Sequence, residues 1–276
     1  MTTIRNSIKT RPLPIYFILA FAVSWGAILI SVGPDGLPVT ADQLGVLVVA
    51  MLLGPSLAGI LSTGLTSGRD GFRELFSRLL RWRVSARWYT IALVTAPLST
   101  AVVLLALSLF SPEFPTALST SDDKVTLVIM WIVGGLMVGF FEELGWTGFA
   151  IPRMRMKYGV FTTGLLVGLL WGAWHFLVNW ESDTFSGALP LALLLARLFT
   201  WLPAYRILMV WIYDRTESLL VVTLMHVSLV ATTGIIDPVL EAVSLLIFLL
   251  AKAVVFWMIV VAVLLTQRRE VQPVSI

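Results

Sequence analysis

The amino-acid sequence predicts an all-α fold, a polytopic membrane bundle of about eight transmembrane helices. Three observations lead there. Apolar residues make up 58% of the 276 residues and charged ones 13%, with a mean hydropathy of +0.92, well outside the composition of soluble domains. The apolar residues fall into runs that approach the ~20 residues a helix needs to cross hydrocarbon. None of these runs alternates as a barrel strand would, and helices are the other way to satisfy every backbone group inside lipid.

The first span, at about 14–32, follows Arg5, Lys9 and Arg11. A basic leader and an apolar run also describe a signal peptide, and Ala20-Phe21-Ala22 is a small-x-small triplet. That triplet lies mid-run and the run is long, so an uncleaved helix is expected. The second span is placed at 44–66 and the third at 89–110. Between them Phe72, Leu75, Phe76, Leu79 and Leu80 recur at helical spacing with arginines interspersed. This describes either an amphipathic helix in the membrane interface or a plain basic loop. The fourth span, 125–145, ends on Glu142 and Glu143, and the fifth, 160–179, holds His175. The sixth, 188–211, contains Arg197 and Arg206, with Arg206 within snorkelling reach of the cytoplasmic interface. The seventh, 218–235, holds His226, and the eighth, 243–265, holds Lys252, which is expected to face the bundle.

Charge sets the orientation. Arg5, Lys9, Arg11, Arg69, Arg73, Arg78, Arg81, Arg83, Arg87, Arg153, Arg155, Lys157, Arg215, Arg268 and Arg269 all fall on one set of alternating connections and termini. The other connections hold Asp35, Asp42, Glu113, Asp122, Asp123, Glu181, Asp183, Asp237 and Glu241, with Lys124 as their only basic residue. Basic connections stay in the cytoplasm, so both termini are placed there and the protein is integral and multi-pass in the plasma (cytoplasmic) membrane. A net charge of +3 spread along the membrane argues against a nucleic-acid partner. The absence of cysteine excludes disulfides, thiolate ligands and a cysteine nucleophile. No repeat or linker divides the chain, and residues 1–276 read as a single membrane-embedded domain.

Ionisable groups inside a bilayer are expensive and mark candidate functional sites. Here they are Glu142, Glu143 and both histidines of the chain, His175 and His226. A carboxylate can take a proton from water, while imidazoles orient it or stabilise an oxyanion. Neighbouring glutamates on a helix point about 100° apart, so only one faces a given pocket. The aspartates all fall in connections, which excludes a paired-aspartate mechanism, and there is no HExxH helix. Ser228, two residues from His226, leaves a serine nucleophile as a lesser option.

Taken in order, these residues resemble the CPBP family of intramembrane proteases, which includes type II CAAX prenyl endopeptidases and bacterial Abi proteins. EELGWTGF, residues 142–149, is similar to the family's EExxxR motif; Trp171 precedes His175 by four residues as in the second motif; His226 opens the HxxxN/D motif. GPSLAG (54–59) and LLRWRVSARWY (79–89) also look like family stretches, and 120–235 is the core of the likeness. Two positions depart from it: Thr147 stands at the motif arginine and Val230 at the motif asparagine or aspartate.

The resemblance implies that Glu142 is the general base, His175 positions water, His226 stabilises the oxyanion and Glu143 supports the site. It implies a metalloendopeptidase-like hydrolase with a cavity open toward the cytoplasm. The substrate would be a peptide or protein near the membrane, lipidated if the family's namesake applies. No cofactor is favoured; a bound zinc would take Glu142, His175 and His226 as ligands with an open position. Arg153 or Arg206 could replace the missing cation, and Ser228 the missing donor. The alternative is a catalytically weak or inactive member acting as an immunity or scaffold protein. By these boundaries His175 lies about 24 Å into its span while Glu142 lies near the cytoplasmic end of its own. A shared site then requires tilt, or a fifth helix that starts below the bilayer.

Overall fold

A computed structural model of the chain describes residues 10–34, 40–110 and 114–271. Arg5, Lys9, Asp35 and Glu113 of the charge argument lie outside them, as do the side chains of Arg268 and Arg269. Apart from isolated bridge positions, one of which pairs Thr116 with Pro238, the regular structure of the described residues is helical.

Helix α1 (Pro12–Ser31) starts with prolines in its first turn, where a missing N–H is harmless. Helix α2 (Ala41–Leu79) opens on a capping box between Thr40 and Gln43. It runs through the expected second span and the amphipathic segment, broken at Gly68, whose φ of 57° and ψ of −139° suit glycine alone. In that segment Leu75 and Arg78 are buried while Phe76, Leu80 and Trp82 are exposed, so the helical reading of 69–79 holds. Helix α3 spans Ala86–Ser108 and α4 is a single turn, Ala117–Thr120. Helix α5 (Lys124–Gly145) is capped by Asp123, which accepts from the Thr126 N–H at 3.0 Å. It continues without a gap through a π-helical turn (Trp146–Ala150) into α6 (Ile151–Arg155).

Helix α7 (Val160–Trp174) is followed by a 3-10 turn, Phe176–Val178. The expected sixth span is two helices, α8 (Ala188–Phe199) and α9 (Leu202–Thr216), broken at Thr200-Trp201 ahead of Pro203. Helix α10 (Leu219–Ile235) and α11 (Ala242–Val271) complete the bundle. Six apolar segments of the described residues are long enough to cross a membrane, and α7 and α10 are shorter apolar helices of 15 and 17 residues.

Small residues bring the site-bearing helices into backbone contact, as expected where lipid supplies no hydrophobic drive between helices. On α7, Gly164, Gly168 and Gly172 form one stripe; an added Cβ would lie 2.5 Å from Ile207 Cα, 2.5 Å from Pro203 Cα and 2.1 Å from the Leu198 carbonyl oxygen. At Gly145 on α5 a Cβ would lie 2.2 Å from the Pro55 carbonyl oxygen of α2.

The basic connections gather at one end of the bundle. Arg78 donates to the Tyr213 hydroxyl at 2.9 Å, Arg153 to Thr66 at 3.2 Å, and Arg155 to Asp214. At the opposite end the Ala117 N–H donates to the Asp237 carbonyl at 3.3 Å, and the Val239 N–H to the Pro115 carbonyl at 3.1 Å.

Candidate active site

The continuation of α5 to Arg155 decides the depth of the glutamates. Glu142 lies about 20 Å along the helix from Arg155, and His175 about 22 Å from the start of α7, so the two meet at similar depth. Neither tilt nor a low-starting fifth helix is required. The expected end of the fourth span at residue 145 was too early. The π turn adds a residue to the helical repeat there, and it carries five consecutive buried residues, Trp146 to Ala150.

Glu142 and Glu143 point apart, as neighbours on a helix must. The Glu142 carboxylate accepts from Trp171 Nε1 at 2.8 Å and lines a cavity of about 540 Å³ together with His175 and His226. Glu143 faces away from that cavity into the packed interior. It accepts from His226 Nδ1 at 2.8 Å, from Arg206 Nη1 at 2.9 Å to each carboxylate oxygen, and from the Thr147 hydroxyl. Both Glu143 and Arg206 are fully buried. A buried carboxylate needs this many donors, since an unpaired charge there would be severely destabilising.

Those partners assign the ring nitrogens. A carbonyl only accepts, so the 2.8 Å contact between His175 Nδ1 and the Trp171 carbonyl places a proton on Nδ1 and leaves Nε2 as an acceptor in the neutral ring. His226 Nδ1 likewise donates to Glu143, and its Nε2 remains for the cavity. Besides its bond to Glu142, Trp171 packs on three more of these residues: its ring lies 5.3 Å from His175, 5.2 Å from His226 and 4.1 Å from the Arg206 guanidinium carbon. The Arg206 contact is a cation–π geometry.

The four residues singled out from the sequence are therefore brought together, Glu143 through His226 rather than through the cavity. Arg206, Trp171 and Thr147 complete the site. Arg206 does not snorkel; it supplies the cation that the motif's position 147 lacks. Arg153 does not do so, because it bonds the Phe149 carbonyl at 3.1 Å and Thr66. Ser228 is turned toward α3, donating to the Leu93 carbonyl at 2.7 Å, which removes it both as a nucleophile beside His226 and as a replacement donor. Val230 does line the cavity.

Among the described residues no three His, Asp or Glu side chains stand close enough together to hold a metal ion between them. The zinc alternative for Glu142, His175 and His226 therefore does not fit this arrangement. The cavity also corrects an expectation of direction. From Glu142 it runs to Ala117, Asn179, Asp237 and Val239, the end with the acidic connections.

The segment that carries this site is also the one that matches known proteins. Residues 124–232 match the family model of type II CAAX prenyl endopeptidase Rce1-like proteins. A relative, CAAX prenyl protease 2 of Methanococcus maripaludis, is 26% identical over 193 residues, covering 66% of this chain and 67% of that protein. The chain is a multi-pass membrane protein, and its residues 124–232 are similar to the Rce1-like type II CAAX prenyl endopeptidases.

Proposed function

We propose that the chain is an intramembrane endopeptidase in which Glu142 activates water for attack on a peptide bond. The supporting observation is the convergence of Glu142, His175 and His226 on one cavity while Glu143 stays outside it. Glu142 takes a proton from water, and the oxygen bonds to the scissile carbonyl carbon. His175 Nε2, unprotonated, accepts the second water proton as a hydrogen bond and aligns the nucleophile. His226, held through Nδ1 by Glu143, donates from Nε2 to the developing oxyanion when both ring nitrogens carry protons. Glu142 then passes its proton to the leaving amine as the C–N bond breaks, so water is consumed and an acid and an amine are released. Arg206 and Thr147 hold Glu143, acting as positioning residues.

The substrate on this reading is a peptide or protein segment at the membrane; a prenylated one is suggested by the name of the relative. Purified protein in detergent, given a farnesylated peptide and unmodified peptides of the same sequence, tests it. Cleavage that falls by about 10²–10⁴ in Glu142→Gln supports the reading; cleavage unchanged in that variant sinks it.

One observation favours a second reading, a weak or inactive member with a scaffold role: Val230 places an apolar side chain on the cavity wall where the family motif has a donor. No cleavage by wild type of any peptide would favour it.

A further inference from the structure

We propose that the cavity is reached from the non-cytoplasmic side of the membrane, so that the substrate is a peptide segment exposed on that face. The substrate class rests on the protease reading above; the direction of access stands on geometry and charge alone.

The lining residues beyond Glu142 follow one direction. Trp131 and Val138 lie on the N-terminal part of α5, Asn179 beyond the C-terminal end of α7, Thr233 near the C-terminal end of α10, and Leu245 and Phe248 near the start of α11. The rim is formed by Ala117, Asp237 and Val239, on connections that also carry Asp122, Asp123 and Glu241. All of these are ends of the same polarity. The basic residues Arg69, Arg73, Arg81, Arg83, Arg87, Arg153, Arg155, Lys157 and Arg215 sit at the other end. A lysine and arginine bias of this kind near helix ends fixes the basic end in the cytoplasm.

The cytoplasmic route to Glu142 is closed by packing. Between Glu142 and Arg153 the chain carries Trp146, Phe149, Ala150 and Ile151, none with any exposed surface. Arg153 covers the Phe149 ring at 3.8 Å, and the bonds from Arg78 to Tyr213 and from Arg155 to Asp214 tie the connections across that end. The open route is apolar within, with Trp131, Trp201 and Phe248 as walls. It is polar at the rim, where Asp237 pairs with buried Lys252 at 2.7 Å and Arg197 with Glu181 at 3.6 Å. That gradient suits an extended peptide with apolar side chains whose backbone stays solvated until it reaches the site. A cytoplasmic tail would have to cross the hydrocarbon to arrive there.

The chain has no cysteine, so single cysteines report their side without background. Val239→Cys and Ser119→Cys mark the rim end, and Ser77→Cys marks the basic end; all three positions are exposed. In intact cells expressing the full chain, a membrane-impermeant maleimide should label the two rim variants, and Ser77→Cys only after permeabilisation. Thr233→Cys, on the cavity wall, should react with a small charged methanethiosulfonate applied outside. Wild-type thermal midpoints in detergent identify the variants that retain the fold. Labelling of Ser77→Cys in intact cells, with or without the rim variants, overturns the proposal. The protease reading fails separately: rim labelling from outside together with cleavage unaffected by Glu142→Gln would remove that reading and leave the access direction intact.

Discussion

Replacing Arg206 by methionine removes the guanidinium and keeps most of its volume. Glu143 and Arg206 are both fully buried with a 2.9 Å contact, and truncating one partner of such a pair destabilises by about 3–5 kcal/mol because a bare charge remains. Glu143 keeps Thr147 and His226 as donors, so the lower end, about 3 kcal/mol, is expected. With about 2–4 °C per kcal/mol for large domains, the midpoint should fall by roughly 6–12 °C. Thermal unfolding in detergent, followed by circular dichroism, measures it. The partner change is Thr147→Arg, since position 147 already reaches Glu143 through its hydroxyl. Alone it crowds a fully buried position and sets a second cation beside Arg206; with Arg206→Met it should recover at least half of the lost midpoint. A midpoint for Arg206→Met within about 2 °C of wild type would refute the reasoning, because Glu143 would then not depend on that cation.

Glu142→Gln and His175→Ala should each leave the thermal midpoint unchanged or raised, because residues kept for chemistry are poorly optimised for stability; a clear loss in both would make them structural, whereas His226→Ala takes a donor from buried Glu143 and should lower the midpoint. Gly145→Ala should destabilise by about 1–3 kcal/mol or prevent folding, its Cβ meeting the Pro55 carbonyl oxygen at 2.2 Å. Gly26→Ala on α1, with nothing within 4 Å of the added carbon, should be neutral or slightly stabilising in the same unfolding assay. Val230→Asn should raise kcat on a cleaved peptide, by up to about 10²-fold if the amide reaches the oxyanion, with KM little changed.

The helical bundle and its spans were legible because lipid imposes length and hydropathy locally, and Glu142, Glu143, His175 and His226 were legible because charge inside apolar runs is costly. What escaped depended on long-range geometry. The segment Trp146–Ala150 contains glycine and threonine and reads as a helix end, while a π turn leaves no trace in a 3.6-residue period. The run Phe176–Val178 is apolar enough to read as more helix, yet the chain leaves α7 at Trp174. Arg206 was visible as a charge within an apolar run, but only the crossing of α9 over the glycines of α7 shows that it meets Glu143. Cavity direction had no local signal, since it follows from which ends of α5, α7, α10 and α11 diverge.

The two histidine-bearing helices are short. At 15 and 17 residues, α7 and α10 extend about 22 and 26 Å, less than the roughly 30 Å of a bilayer's hydrocarbon core. The 3-10 turn after His175 therefore lies at a depth where irregular backbone survives only against protein or water. Lipid beside the bundle is then expected to thin toward the ends of these helices, so membrane thickness becomes a variable of the site itself. In thicker bilayers the rim around Asn179 and Asp237 sinks toward the acyl chains, and the hydration of Glu142 falls without any change in the protein's sequence.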